Sequence, residues 1–297
     1  MDVISLLEVN PKTYLDKPAI IFKDEPITFR QLRDFSFRLA HSLISLGIKK
    51  SDKVVIYLPN WPEYIYSYLA IWCLGATAVP LDFMLTEEEL VSCITHSEAK
   101  ILIAKSKENI SLTNIKQKCP ELKEIIIAGE NLVPGLSDNP PEVKIQDQDY
   151  AIIFYTSGTT GKPKGVLVNY LQLEAPPQAM THFVNFTEKD IALCALPFSH
   201  LGGLIYLQNS ISFGLSVVLM EHFIPLEFLK HIQNYRVRCF WVVPSMYYAI
   251  LQLKEFEKFD LSSLRWIVTF GASSSSEALR RFQQHCPQAH LLNGWGL

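Results

Sequence analysis

Apolar side chains at Leu32, Phe35, Leu39, Leu43 and Leu46 recur three and four positions apart, the period of a helix with one buried face. Thr28 with Gln31 reads as a capping box at its start, and Gly47 as its stop. A second box, Thr86 with Glu89, opens a helix expected to end near Ser97. Asn60 is expected to cap another that runs to about Leu74. Between these helices lie runs that are apolar almost throughout, Lys53–Leu58, Ala76–Pro80 and Lys100–Ala104. Continuous apolarity, rather than alternation, marks strands covered on both faces.

Gly129–Gln148 interrupts the pattern with Pro134, Gly135, Pro140, Pro141 and several Asp, and reads as a surface connection. Strands are then expected at Ala151–Tyr155, Ile191–Ala195, Leu215–Leu219, Cys239–Val243, Trp266–Thr269 and His290–Leu292. Helices fall between most of them, most clearly at Pro225–Tyr235 and Ser276–His285. Strand–helix alternation of this kind predicts an α/β fold with parallel layers.

Composition narrows the class. A length of 297 residues suggests two domains. Hydrophobic residues at 48% and charged residues at 19% exclude a disordered chain and a coiled coil. A net charge of −3 shows no basic face for nucleic acid. The six cysteines form no CxxC pair, which argues against zinc and disulfides and for a reducing, cytoplasmic setting. The start lacks the basic segment of a signal peptide. Ile191–Met220 contains no Asp, Glu, Lys or Arg, but Pro197, His200, Gly202, Gly203 and Gly214 break it. It reads as a buried strand and helix, not as a membrane span.

The segment richest in chemistry is Tyr155–Gly165, directly after an apolar strand. From Thr156 to Gly165 it carries four Ser or Thr hydroxyls, three glycines and two lysines. Glycine lets backbone N–H groups close on a ligand, hydroxyls add donors, and lysine adds positive charge. That set suits a polyphosphate, although an ordinary Ser/Thr/Gly loop has the same composition. It is not a Walker A loop, because only two residues, rather than four, separate Gly158 from Gly161 and Pro163 follows Lys162. No GxGxxG follows a strand, which disfavours a dinucleotide oxidoreductase.

Tyr155–Gly165 resembles the signature loop of the acyl-adenylate-forming (AMP-binding) superfamily, which includes acyl-CoA and aryl-CoA synthetases, luciferases and peptide-synthetase adenylation domains. Further segments are similar to that family's motifs and follow in its order. Leu74–Asp82 resembles an early structural motif, and Leu196–Gly203 the motif with a gating histidine. Gly271–Ser273 resembles the adenine-contacting turn, and Asn293–Leu297 the aromatic motif over the adenine.

The resemblance implies a two-step reaction. A carboxylate attacks the α-phosphorus of ATP to give acyl-AMP and pyrophosphate, and the thiol of coenzyme A then takes the acyl group. Thr156, Ser157, Gly158, Thr159, Thr160, Gly161 and Lys164 would hold the phosphates, while Lys162 sits at a variable position. Gly271, Ala272, Ser273, Asn293, Gly294, Trp295 and Gly296 would hold the adenine, with Trp295 stacked on its face. His200 would gate the acyl pocket, lined also by Val243, Pro244 and Tyr247. His200 and Lys164 are the catalytic candidates. Each has a plainer reading: a packed or surface histidine at His200, a strand end at Gly271, a core aromatic at Trp295, a buried strand-to-helix segment at Val242–Tyr248.

ATP, Mg²⁺ and coenzyme A are the implied cofactors, with no metal ligand assigned within the chain. The partner is a small carboxylic acid. Phe198-Ser199 lacks the aspartate with which amino-acid-activating relatives hold an amine, so a fatty or other apolar acid is expected. The chain ends inside the adenine motif, so the family's β-barrel and lid domain are expected to be absent and the isolated chain inactive. Val166–Tyr170 departs from the family and is taken as helix-surface variation.

The implied fold is two packed, mostly parallel, doubly wound sheets with covering helices. One subdomain spans 53–180; the other combines 1–52 with 181–297. Alternatives are an acyl-AMP ligase serving a carrier protein and a non-catalytic nucleotide- or acyl-binding remnant. Oligomeric state is left open.

Overall fold

The computed structural model describes residues 2–8, 14–129, 137–156 and 164–294. Helix α1 (Val3–Glu8) precedes a hairpin of β1 (Pro18–Phe22) and β2 (Glu25–Thr28). There follow α2 (Phe29–Ser45), β3 (Lys53–Tyr57), α3 (Pro62–Cys73), β4 (Thr77–Pro80), α4 (Glu87–Ser97), β5 (Ile101–Ala104), α5 (Leu112–Lys118) and β6 (Glu124–Ile127). Next come β7 (Tyr150–Thr156), β8 (Lys164–Asn169) and α6 (Tyr170–Met180). The rest alternates: β9 (Ile191–Cys194), α7 (Leu201–Phe213), β10 (Ser216–Leu219), α8 (Pro225–Asn234), β11 (Cys239–Val242), α9 (Pro244–Leu251), β12 (Trp266–Thr269), α10 (Ser276–Gln284) and β13 (His290–Asn293).

Two sheets result. A six-stranded sheet has the order β6-β5-β3-β4-β7-β8, and a seven-stranded sheet the order β13-β12-β11-β9-β10-β1-β2. All pairings are parallel except β1–β2 and β7–β8. Strand β3 shows why the apolar runs are continuous. Val54 and Ile56 join the large core shared with α2, α3 and the other sheet, while Val55 and Tyr57 join a smaller core under α4 and α5. Both faces are buried, so neither can be polar.

The helix signals act locally. Thr28 Oγ1 accepts from Gln31 N at 3.2 Å, and Gln31 Oε1 accepts from Thr28 N at 2.9 Å. Thr86 and Glu89 do the same for α4, whose first turn also carries Glu87 and Glu88 toward the positive end of the helix dipole. Each cap contributes about 1 kcal/mol. Gly47 closes the α2 end with φ +82°, a conformation glycine adopts without strain. Helix α3 is buried on all sides except at Glu63, as expected of a helix inside a large core. Among the described residues no helix is long and apolar enough to cross a membrane; Ile191–Met220 holds β9, α7 and β10.

Two expectations are corrected, and one hairpin was not foreseen. Asn60 does not cap α3, whose N-cap is Trp61 with Pro62 at the first turn. Asn60 is buried instead and bridges the two sheets, donating to Met220 O at 2.9 Å and accepting from Phe198 N at 3.2 Å. Val166–Asn169 is not helix surface but edge strand β8, with Val166 and Leu167 exposed. The β1–β2 hairpin carried no glycine to announce it: its turn residues, Lys23 and Asp24, both take positive φ, 52° and 66°, the geometry that normally favours Asn-Gly.

Candidate active site

The carboxyl ends of β3, β4, β9, β10 and β11 face one cleft of about 360 Å³ between the two sheets. Leu58, Asp82, Phe83 and Met84 wall it from the six-stranded side, and Leu196, Phe198, Val243 and Met246 from the other. Clefts at the carboxyl ends of parallel strands are where open α/β sheets bind ligands.

Helix α3 sets both walls. The Tyr64 hydroxyl donates to Leu81 O at 3.3 Å, just before Asp82. The Tyr68 hydroxyl, one turn later, donates to Phe198 O at 2.8 Å, just before His200. With Asn60 on the Phe198 N–H, both backbone groups of Phe198 are satisfied by side chains from the facing layer.

His200 is the N-cap residue of α7. Its carbonyl accepts from Gly203 N at 3.1 Å and Leu204 N at 3.2 Å, and its N–H donates to Pro197 O at 3.1 Å. This tight turn explains the glycine pair. A Cβ on Gly203 would lie 2.2 Å from Pro197 O, and one on Gly202 would lie 2.7 Å from Phe270 Cζ. His200 is not among the residues lining the cleft, but its imidazole Nε2 lies 3.2 Å from Oδ2 of Asp82, which is. That bond, with a second from Met84 N, holds the Asp82 carboxyl below the usual range despite partial burial. Asp82 and burial together push the nearby Tyr57 phenol up to about 12, burial being the larger cause.

The acyl-pocket residues separate. Val243 lines the cleft, and so does Met246, which the sequence reading passed over. Pro244 is buried in the first turn of α9. Tyr247 is buried with its ring 5.1 Å from that of Phe282. Helical geometry is the cause: Met246 and Tyr247 are consecutive on α9, and consecutive helical residues point about 100° apart.

Gly271, Ala272 and Ser273 are exposed between β12 and α10, and Gly271 takes φ +87°. A Cβ there would sit 3.4 Å from Val243 Cγ1, so this turn adjoins the cleft wall. Asn293 pairs with Thr269 at the end of β13, and Gly294 N donates to Thr269 O at 2.8 Å. The expected adenine residues 271–273 and 293–294 thus lie at the ends of neighbouring strands. Trp295 and Gly296 lie outside the described residues, as do Ser157, Gly158, Thr159, Thr160, Gly161 and Lys162. The residues flanking that loop, Thr156 and Lys164, are exposed cross-strand partners on β7 and β8. Strand β7 runs parallel to β4, so Thr156 ends it on the same edge as Asp82.

Among the described residues no three His, Cys, Asp or Glu side chains group to hold a metal ion. Mg²⁺ is commonly held through substrate phosphates and one or two carboxylates, so nucleotide phosphates would supply most of its ligands.

Sequence comparison agrees with this geometry. The chain matches the family described as AMP-binding enzyme over residues 7–297. It is 28% identical over 285 residues to 4-coumarate–CoA ligase 1 of Petroselinum crispum, covering 92% of this chain and 52% of that protein. It is 29% identical over 300 residues to 4-coumarate–CoA ligase 3 of Arabidopsis thaliana, covering 95% and 53%. The chain therefore spans about half the length of these relatives. Among solved structures, the inhibitor-bound N-terminal domain of FACL13 from Mycobacterium tuberculosis superposes with a TM-score of 0.91 at 24% identity, covering 100% of this chain and 76% of that one. The anthranilate CoA ligase AuaEII in complex with anthranoyl-AMP gives 0.92 at 22%, covering 100% and 59%. These likenesses show a shared fold, and the match over residues 7–297 shows more: the chain belongs to the AMP-binding enzyme family.

Proposed function

We propose that the chain supplies the acyl- and nucleotide-binding part of an ATP-dependent carboxylic acid–coenzyme A ligase acting on a fatty or similarly apolar acid. The observation that carries this reading is the cleft at the carboxyl ends of both sheets, largely apolar inside, with His200 bonded to Asp82 of its lining and the 271–273 turn against its wall. Membership of the AMP-binding enzyme family supports it.

In this reading a carboxylate oxygen of the acid attacks the α-phosphorus of ATP, and pyrophosphate leaves. The thiol of coenzyme A then attacks the acyl carbon, and AMP leaves. The first step joins two anions, so the protein's work is to hold them in line and balance charge. Leu196, Phe198, Val243 and Met246 hold the tail and exclude water. His200 caps the amino-terminal end of α7, the positive end of the helix dipole. Thr156 and Lys164 flank the loop assigned to the β- and γ-phosphates, with Lys164 as its charge. The 271–273 and 293–294 backbone takes the adenine. Mg²⁺, when bound through the phosphates, would supply charge compensation. All six cysteines are buried free thiols, which supports a cytoplasmic setting.

The test is acid-dependent ATP–pyrophosphate exchange by the full-length gene product, screened across fatty, aryl and amino acids. Exchange with apolar acids is expected. Exchange confined to amino acids, or independent of any acid, would overturn the reading.

A further inference from the structure

The geometry points to Asp82 as the positioning residue for His200, the two forming a latch across the cleft mouth in which His200 exchanges the Asp82 carboxylate for that of the incoming acid. The inference rests on the function proposed above. Asp82 lies two residues past β4 on the six-stranded sheet, and His200 begins α7 on the seven-stranded side, 118 residues later. Their 3.2 Å contact joins the sheets over the space lined by Asp82, Phe198 and Ser199.

The backbone on each side is anchored independently of the contact. Leu81 N donates to Ile56 O at 2.9 Å, and Leu81 O accepts the Tyr64 hydroxyl. Asp82 Oδ1 is taken by Met84 N at 2.9 Å, which leaves Oδ2 for His200. On the other side, Tyr68 and Asn60 hold Phe198, and the α7 turn holds the His200 backbone. The side chains are freer, with 59% of the His200 side chain and 36% of Asp82's exposed. The imidazole can therefore swing about its own torsions without unpacking either wall.

An entering acid brings a second carboxylate to the same imidazole. Two carboxylates at one short-range site repel, so Nε2 can serve either Asp82 or the acid at full strength. Lys107 remains near enough to Asp82 to favour its charged form once His200 has turned away. Asp82 thus keeps His200 aimed over the cleft while it is empty and gives it up when an acid arrives.

The experiment uses cis-parinaric acid, a fluorescent apolar carboxylate, in stopped-flow binding to the 297-residue chain. Asp82→Asn keeps an oxygen for Met84 N but removes the charge facing His200. It is expected to raise the association rate and affinity by about two- to fivefold, the range that loss of one exposed polar pair supports. In a His200→Ala background the same change is expected to do nothing, because the latch is already gone. Unchanged rates in Asp82→Asn, or an equal effect in both backgrounds, would overturn the latch alone. Absence of parinarate binding by the unaltered chain would overturn both the latch and the acyl-pocket assignment. Binding without acid-dependent exchange by the full-length product would sink only the ligase reading. Asp82→Ser supplies the same comparison should the asparagine variant fail to fold.

Discussion

The Tyr68 hydroxyl donates a 2.8 Å hydrogen bond to the Phe198 carbonyl, 130 residues further along the chain. Both residues are buried. Tyr68→Phe keeps the ring and leaves that carbonyl without its partner, at a cost of about 1–3 kcal/mol. Urea denaturation is expected to show this loss. Acid-dependent exchange in the full-length product is expected to fall as well, because the turn leading to His200 loses an anchor. Unchanged stability would show that the bond contributes nothing.

Gly203→Ala is expected to be the more damaging substitution. Its Cβ would meet Pro197 O at 2.2 Å, and the obstacle is backbone, not a movable side chain. Overpacking of this kind costs about 1–3 kcal/mol and displaces the turn that carries His200. Gly294→Ala, where the nearest atoms would lie at 3.5 Å, is the control expected to leave the melting temperature nearly unchanged.

Lys164 and Lys162 are expected to differ. If Lys164 meets the phosphate charge, Lys164→Ala removes a charge-assisted contact worth about 1.5–3 kcal/mol. That is roughly a ten- to hundredfold loss in kcat/KM for ATP in the exchange reaction. Lys162→Ala is expected to change it less than about threefold. Equal losses would remove the assignment of Lys164.

The Asp82–His200 contact carries a pH signature. A carboxyl whose native pKa is lowered stabilises the fold above its unfolded pKa, about 3.9. That contribution disappears as the pH falls through the lower native value. The His200 bond is the largest cause of the lowering. His200→Ala should therefore make the decline in melting temperature below about pH 4 shallower. A decline as steep as in the unaltered chain would place the cause elsewhere.

Burial also predicts the thiol chemistry. It pushes Cys93 up to about 11, and Cys194 and Cys286 up to about 12. A disulfide reagent at pH 8 is expected to leave the native chain almost unlabelled and to titrate all six cysteines after denaturation. Rapid labelling of one thiol in the native chain would reveal local opening.

Local rules carry much of the fold in plain view. The Thr28–Gln31 and Thr86–Glu89 boxes and the apolar runs that became β3, β4 and β5 depend on neighbours in sequence and on burial of both sheet faces. The same holds for the glycine pair after His200, although the reason for it, Pro197 O and the Phe270 ring, needs coordinates to see. Non-local pairing stayed hidden. Asn60 has the chemistry of a helix cap, and only the approach of Phe198 and Met220 makes it a bridge between sheets. Lys164–Asn169 becomes an edge strand because β7 offers it a partner, and a hydrogen-bonding partner cannot be read from one strand alone. Asp82 and His200 belong to motifs that the sequence displays separately. Packing of two sheets against α3 sets them 3.2 Å apart, because the distance between such residues follows from the layers that carry them and not from their separation along the chain.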